Sequence, residues 1–220
     1  MAVALIVAAG RGERLGLGRP KALVTLGGRP MVEWSLRALR EVPAVERTVI
    51  ALPPETEFAP LQADGVVFVT GGEARSQSVR AALEAAGHGD PVIVHDAARP
   101  LAKSGLFERA LAELERSGAD AVIAAVPVSD TIKEVSADGQ TVSRTLDRRK
   151  LWAVQTPQVF RRESLERALG DDELVAHATD DAWLIEQQGG MVRMIDSCQP
   201  NLKVTTADDL RVAELLLSER

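Results

Sequence analysis

The sequence predicts an α/β fold: a doubly wound, mostly parallel sheet flanked by helices, with a projecting β-hairpin arm. Three observations predict it. Short apolar, β-rich runs bounded by Gly, Pro or Asp alternate with amphipathic segments of helical period, the pattern of buried parallel strands joined by helices. One polar, β-branched pair of segments interrupts that alternation around Asp138-Gly139, a strong two-residue hairpin signal. The 220 residues suffice for one large core, and no low-complexity linker divides them, so a single domain over 1–220 is expected.

The elements follow in order. An apolar run, Val3 to Val7, leads into Ala8 and Ala9 and then a loop carrying Gly10, Gly12, Gly16 and Gly18. Further strands are read at Val45 to Leu52, Val66 to Thr70, Pro91 to His95 and Ala121 to Val126. Between them lie helical patterns over Pro30 to Arg40, Glu73 to Ala86 and Lys103 to Ser117; in the last, Leu106, Phe107, Ala110, Leu111 and Leu114 share one face. Thr131 to Val135 and Thr141 to Leu146 form the hairpin. It is too polar to bury against its own sheet, so 130–150 is expected to project and to dock on another copy of the chain, or else to stand solvated. Arg161 to Leu169 and Thr179 to Gln188 come next, then a short strand, Met191 to Ile195. The last helix has Thr206 as N-cap, Asp209 three residues on, and Leu210, Ala213, Leu216 and Leu217 along one side.

Composition excludes several classes. A formal charge of −6 and a pI near 5.2 argue against a nucleic-acid partner, which calls for a broad basic face. Cys198 is the only cysteine, so neither an intrachain disulfide nor a cysteine-rich zinc site is available. No apolar run reaches membrane-spanning length, and the N-terminus lacks the basic start and long apolar core of a signal peptide. A cytoplasmic protein with no membrane partner is the expectation. Three scattered histidines make no zinc site, and no Ser-His-Asp or Cys-His set is visible.

The loop after the first strand is the richest stretch. It places Arg11, Arg14, Arg19 and Lys21 within eleven residues, with only Glu13 against them. Glycines that let backbone approach a ligand, with several cations at a strand end, suit a polyphosphate; the plain alternative is a surface turn with solvated charges. It is not the dinucleotide fingerprint, which needs glycine where Leu15 stands, nor a P-loop, since Lys21 lies between Pro20 and Ala22.

Other patches lie at strand ends or near them. Thr70-Gly71-Gly72-Glu73-Ala74-Arg75-Ser76-Gln77-Ser78 follows a strand and opens a helix, so its amides face whatever lies above the sheet, or it is simply a capped turn. Asp96, in His95-Asp96-Ala97-Ala98-Arg99-Pro100, is a plausible Mg²⁺ ligand, because Mg²⁺ takes one or two carboxylates and completes its shell with phosphate and water. An Asp96 to Arg99 ion pair is the alternative, and His95 reads as structural. Trp152 to Gln158, with Thr156 before Pro157, concentrates polar groups after the hairpin. Lys203, between Leu202 and Val204, points either to solvent or back to a charged ligand.

Together these motifs resemble the 2-C-methyl-D-erythritol 4-phosphate cytidylyltransferases. The likeness rests on Ala8-Ala9-Gly10 through Lys21, Gly71-Gly72 with Ser78, and His95 to Pro100. It continues through Asp130-Thr131, Asp147-Arg148, Thr156-Pro157-Gln158, Thr179-Asp180 and Asn201-Leu202-Lys203-Val204-Thr205. These run from the first strand to the last helix. The first loop alone would indicate only the wider nucleotidyltransferase superfamily.

The resemblance implies a homodimeric, Mg²⁺-dependent enzyme that moves CMP from CTP to methylerythritol phosphate and releases pyrophosphate, in the non-mevalonate route to isoprenoid precursors. It implies that Ala8, Ala9, Gly10, Gly72, Glu73 and Ser78 surround the cytosine end of CTP, with Asp96 and Ala97 near the ribose and Asp96 on the metal. Arg14, Lys21 and Lys203 would meet the triphosphate and the transition state. Thr131, Arg148, Thr156 and Thr179 would contact the acceptor, the first two reaching it from the partner's arm. Glu73 stands where the family pattern leads one to expect aspartate, which bears on base selectivity if the carboxylate makes the contact. A pentitol-phosphate cytidylyltransferase acting on ribitol 5-phosphate is the near alternative. A regulatory module that holds CTP without turning it over is the alternative from another class.

Overall fold

The computed structural model describes the chain except at residues 11, 13, 14, 17, 55, 57–63, 198, 199 and 220. Its first half contains β1 (Ala2–Val7), a two-residue hairpin pair β2 (Thr25–Leu26) and β3 (Arg29–Pro30), α1 (Met31–Arg40), β4 (Val45–Leu52), β5 (Val66–Thr70), α2 (Arg75–Ala85) and β6 (Val92–Asp96). There follow α3 (Ser104–Ser117), β7 (Ala121–Pro127), β8 (Lys133–Val135), β9 (Val142–Thr145) and β10 (Trp152–Phe160). The chain closes with α4 (Arg162–Leu169), α5 (Asp172–His177), α6 (Asp181–Gln187), β11 (Val192–Asp196) and α7 (Ala207–Ser218).

Seven strands form one sheet in the order β11-β7-β10-β6-β1-β4-β5. β10 runs antiparallel to both neighbours, and the other pairings are parallel. Because side chains alternate along a strand, Ile6 and Leu5 face opposite ways, and both faces must be covered. On one face Ile6, Ile50 and Ile93 pack with Leu36 and Leu39 of α1 and Phe107 and Leu114 of α3. On the other, Leu5, Val49 and Val94 pack with Val79 of α2, Leu165 of α4 and Leu184 of α6. A third cluster joins Leu26, Met31, Leu101, Val204 and Leu217, and so ties the residue 204 segment and α7 to the loops above β1 and β6. No described helix is long and apolar enough to cross a membrane.

The fold class agrees with the sequence reading, and its departures have local causes. Trp152 to Gln158, read as a patch of polar chemistry, belongs to β10, a central strand. Its Gln, Thr and Pro hide the strand signal, and the ladder to β7 breaks between Val154 and Gln158, where Pro157 has no N–H to give. Residues 201–205, which carry Lys203, run irregularly over the sheet's end. The β2–β3 pair and α5 are too short for periodicity to reveal. β8 and β9 form a two-stranded sheet of their own, in which Val135 pairs with Val142 and the two remain 50% and 54% exposed. Asp138 closes the turn by accepting the backbone N–H groups of Gln140 and Thr141.

The last helix begins at the expected cap. Thr206 Oγ1 accepts the Asp209 N–H at 3.2 Å, while Asp209 Oδ2 takes the N–H groups of Thr205 and Thr206 and the Thr205 hydroxyl. These bonds, the Thr205 hydroxyl foremost, hold the Asp209 carboxyl down at about 2. A depressed acid stabilises the fold above its unfolded value, near 4, and that contribution is lost as pH falls toward 2. Asp209→Asn is therefore expected to cost about 1 kcal/mol at neutral pH and to flatten the acid side of the stability curve. Urea titrations of both proteins between pH 2 and 7 check this; an unchanged acid limb refutes it.

Candidate active site

The carboxyl ends of β1, β5 and β6 open on one cavity. The loops there are stitched together by backbone: the Ala8 N–H donates to the Ala51 carbonyl at 2.9 Å, and the Ala97 N–H to that of Val7 at 3.0 Å. Two glycines allow the closeness. At Gly12, with φ +74°, a Cβ would stand 2.9 Å from the Lys21 Cβ, and at Gly71 one would stand 2.4 Å from the Ala9 Cβ. Ser78, buried on α2, accepts the Gly72 N–H at 3.1 Å and so braces the loop before its own helix. The cavity holds about 230 Å³ and is walled by Ala8, Gly10, Lys21, Gly72, Asp96 and Lys203 among others. A groove of about 650 Å³ adjoins it, sharing Gly10, Lys21 and Gly72 and adding Gly12.

The cavity's far wall is ionic. Asp96, the last residue of β6, accepts from Arg75 Nε at 3.0 Å through Oδ1, and Lys203 Nζ lies 2.6 Å from Oδ2. Burial alone would raise the Asp96 carboxyl, but Arg75 and then Lys203 outweigh it and hold it far below the usual carboxylate range. Arg75 Nη1 also reaches Asp181 Oδ2, at 2.5 Å. Burial weakens the Arg75 cation, yet Asp181 and then Asp96 more than compensate and raise its pKa. Burial pushes the Asp181 carboxyl up, against the pull of Arg75. Arg99, offered by the sequence as the partner of Asp96, instead donates to the Asn201 carbonyl at 2.8 Å and so fastens the segment that carries Lys203.

Behind Asp96 the support is neutral. The Thr156 hydroxyl oxygen accepts the Asp96 backbone N–H at 3.0 Å and lies 3.0 Å from His95 Nδ1. Burial pushes His95 down to about 4, so its ring is neutral at pH 7 and Nδ1 can accept the Thr156 proton. Its edge meets the Phe107 ring at 5.0 Å between centroids. His95 is thus a structural residue that fixes the end of β6.

A second cavity, about 390 Å³, lies on the other side of the ionic wall. Arg75, Asp96 and Lys203 line both spaces, while Arg99, Thr156, Thr179, Asp180 and Trp183 line only the second. Asp180 caps α6 through Oδ1 and takes the Gln158 amide through Oδ2 at 2.8 Å. Two pockets meeting at a carboxylate and two cations can hold two anionic reactants end to end.

Comparison with known proteins gives the family. The family profile described as 2-C-methyl-D-erythritol 4-phosphate cytidylyltransferase matches residues 2–219. The chain belongs to that family. A relative of that name from Frankia casuarinae is 47% identical over 98% of this chain and 80% of its own. One from Rhodococcus jostii is 45% identical over 99% and 95%. The solved structure of the Thermus thermophilus protein of this name superposes with a TM-score of 0.81 and 34% identity over 99% and 100% of the two chains.

Of the residues that the likeness to this cytidylyltransferase family singles out, the structure brings Ala8, Ala9, Gly10, Lys21, Gly72, Glu73, Ser78, Asp96, Ala97 and Lys203 to the first cavity. It brings Thr156 and Thr179 to the second, where the Thr156 hydroxyl is engaged with Asp96 and His95. Thr131 and Arg148 line neither; both are exposed by the arm, and Arg148 Nη1 donates to the Ser129 carbonyl at 2.6 Å. Arg14 lies outside the described residues. Arg75, in the wall, and Asp181, bonded to it from behind, were not singled out by the sequence. One signal pointed to Arg75: a cation on the first turn of a helix opposes the helix dipole and calls for a nearby carboxylate.

Proposed function

We propose that the chain transfers the cytidylyl group of CTP to 2-C-methyl-D-erythritol 4-phosphate, giving CDP-methylerythritol and pyrophosphate. Family membership names the reaction, and the observation that carries it onto this chain is the shared wall of Arg75, Asp96 and Lys203 between two cavities. In this reading the 230 Å³ cavity takes the cytidine and the adjoining groove over Gly10, Gly12 and Lys21 takes the triphosphate. The acceptor occupies the second cavity.

An oxygen of the acceptor phosphate attacks the α-phosphorus. The bond from that phosphorus to the bridging oxygen breaks, and pyrophosphate leaves on the opposite side. A phosphate monoester is largely dianionic near pH 7, so no base is required; the obstacle is repulsion between anions. Lys203, at the junction, offsets charge on both reactants, and Lys21 offsets it at the leaving side. Asp96 fits Mg²⁺ in one respect only. It supplies a single carboxylate, and the described residues hold no group of three or more metal-binding side chains. Such a site suits an ion that arrives with the nucleotide and takes the rest of its shell from phosphate and water. The ion would add further positive charge at the α-phosphate.

The reading includes a homodimer in which Thr131 and Arg148 reach the partner's second cavity, supported by the exposed Val135 and Val142 on a free-standing hairpin. It also places the enzyme in the cytoplasm, where CTP is at hand. Product analysis tests the assignment directly. With CTP, Mg²⁺ and methylerythritol phosphate, CDP-methylerythritol and an equal amount of pyrophosphate are expected, with ribitol 5-phosphate a far poorer acceptor. Faster turnover of ribitol 5-phosphate, or CTP binding without product, overturns it.

A further inference from the structure

Asp181 is the most deeply buried carboxylate near the wall, with a relative exposure of 0%. It lines neither cavity, so it touches neither reactant in the reading above. Its Oδ2 bonds Arg75 Nη1 at 2.5 Å, and its Oδ1 has no hydrogen-bond partner among the described residues. Arg75 in turn gives Nε, at 3.0 Å, to Asp96. The result is a row of alternating charge, Asp181, Arg75, Asp96, Lys203, drawn from α6, α2, β6 and the residue 203 segment.

We propose that Asp181 is a positioning residue for cytidylyl transfer: its buried charge fixes Arg75 as the partition between the two cavities. With Nη1 tied to Asp181, Arg75 meets Asp96 at one point rather than through the two-pronged grip a guanidinium makes on a carboxylate. A single-point contact leaves Asp96 able to turn toward a cation or the ribose when the nucleotide enters. Without Asp181, Arg75 has only Asp96 to neutralise it. It then closes on that carboxylate, and both the partition and the Asp96 orientation are lost. Displacement of a group by about 1 Å at a reacting centre can cost about a hundredfold.

This rests on the cytidylyl-transfer reading, and a wild-type control separates the two failures: absence of product from the wild type sinks the reading, whatever Asp181 does. With an active wild type, Asp181→Asn is expected to lower kcat about tenfold to a hundredfold while KM for CTP moves less than about threefold. Arg75→Met is expected to lower kcat, and adding Asp181→Asn to it should cause no further loss. That non-additivity is what a residue acting through Arg75 must show and a merely structural one would not. Removing one partner of a buried pair is destabilising, whereas removing both is better tolerated, so the double variant keeps the test open if Asp181→Asn alone does not fold. A folded Asp181→Asn enzyme with wild-type kcat overturns the proposal. So does a double variant that falls well below Arg75→Met alone.

Discussion

Replacing Lys203 with methionine is expected to lower turnover by about a hundredfold to a thousandfold while CTP still binds, the scale seen when one preorganised donor to a developing anion is removed. The argument is positional. Lys203 borders both cavities, as Arg75 does, and its ammonium stands 2.6 Å from Asp96, so it is close to wherever acceptor and α-phosphate meet. Methionine keeps most of the stem's bulk and removes the charge. Asp96 then loses its second counter-charge, and its carboxyl moves up toward the ordinary range, although Arg75 still holds it down. Single-turnover rates with saturating CTP, alongside a calorimetric CTP titration, separate the two effects. Near wild-type chemistry in the folded variant would remove Lys203 from the mechanism.

A complementation between two crippled chains is the second large effect. Lys203→Met damages the core half of a site, and Arg148→Ala damages the arm half. If each site joins one chain's core to its partner's arm, each homodimer is nearly inactive. A heterodimer holds one site with both halves intact and one with both damaged. Statistical mixing gives half heterodimers, so recovery to roughly a quarter of wild-type activity is expected. Arg148 lines neither cavity of its own chain, and its Nη1 bonds the Ser129 carbonyl there, so a purely local role predicts a different outcome. Then mixing restores nothing, and the shared-site reading fails.

The sheet and its helices were legible because their signals are local and repeated: Ile6 and Leu5 alternate along β1, and Leu106, Phe107 and Leu114 recur at helical spacing on α3. β10 was not, because Gln155, Thr156 and Gln158 line the second cavity, with Thr156 also holding the end of β6, while Pro157 interrupts the ladder, and polar function overrides the apolar pattern of a central strand. The glycines and Lys21 could be read from composition of one loop. Lys203 could not be settled between solvent and ligand, since its segment is turned back over Asp96 by contacts distant in sequence: the Arg99 bond to the Asn201 carbonyl, the Asn201 bonds to Gln155 and Thr156, and the Val204 bond to Ala98. Asp180 and Asp181 are adjacent and alike in sequence. One caps a helix while the other is buried under Arg75, a difference set by where α6 lands on the sheet rather than by either residue.

The place of β10 has a consequence for synthesis. β7 is flanked in the sheet by β10 and β11, both of which come after it in the chain. On the ribosome, therefore, the run Ala121 to Pro127 emerges with apolar side chains and open backbone edges before either neighbour exists. Strands that must wait in this way fold slowly and are prone to pair with other nascent chains. The hairpin made directly after β7 lengthens that wait by residues 128–151, but the stretch is mostly polar and adds little apolar surface to the waiting strand.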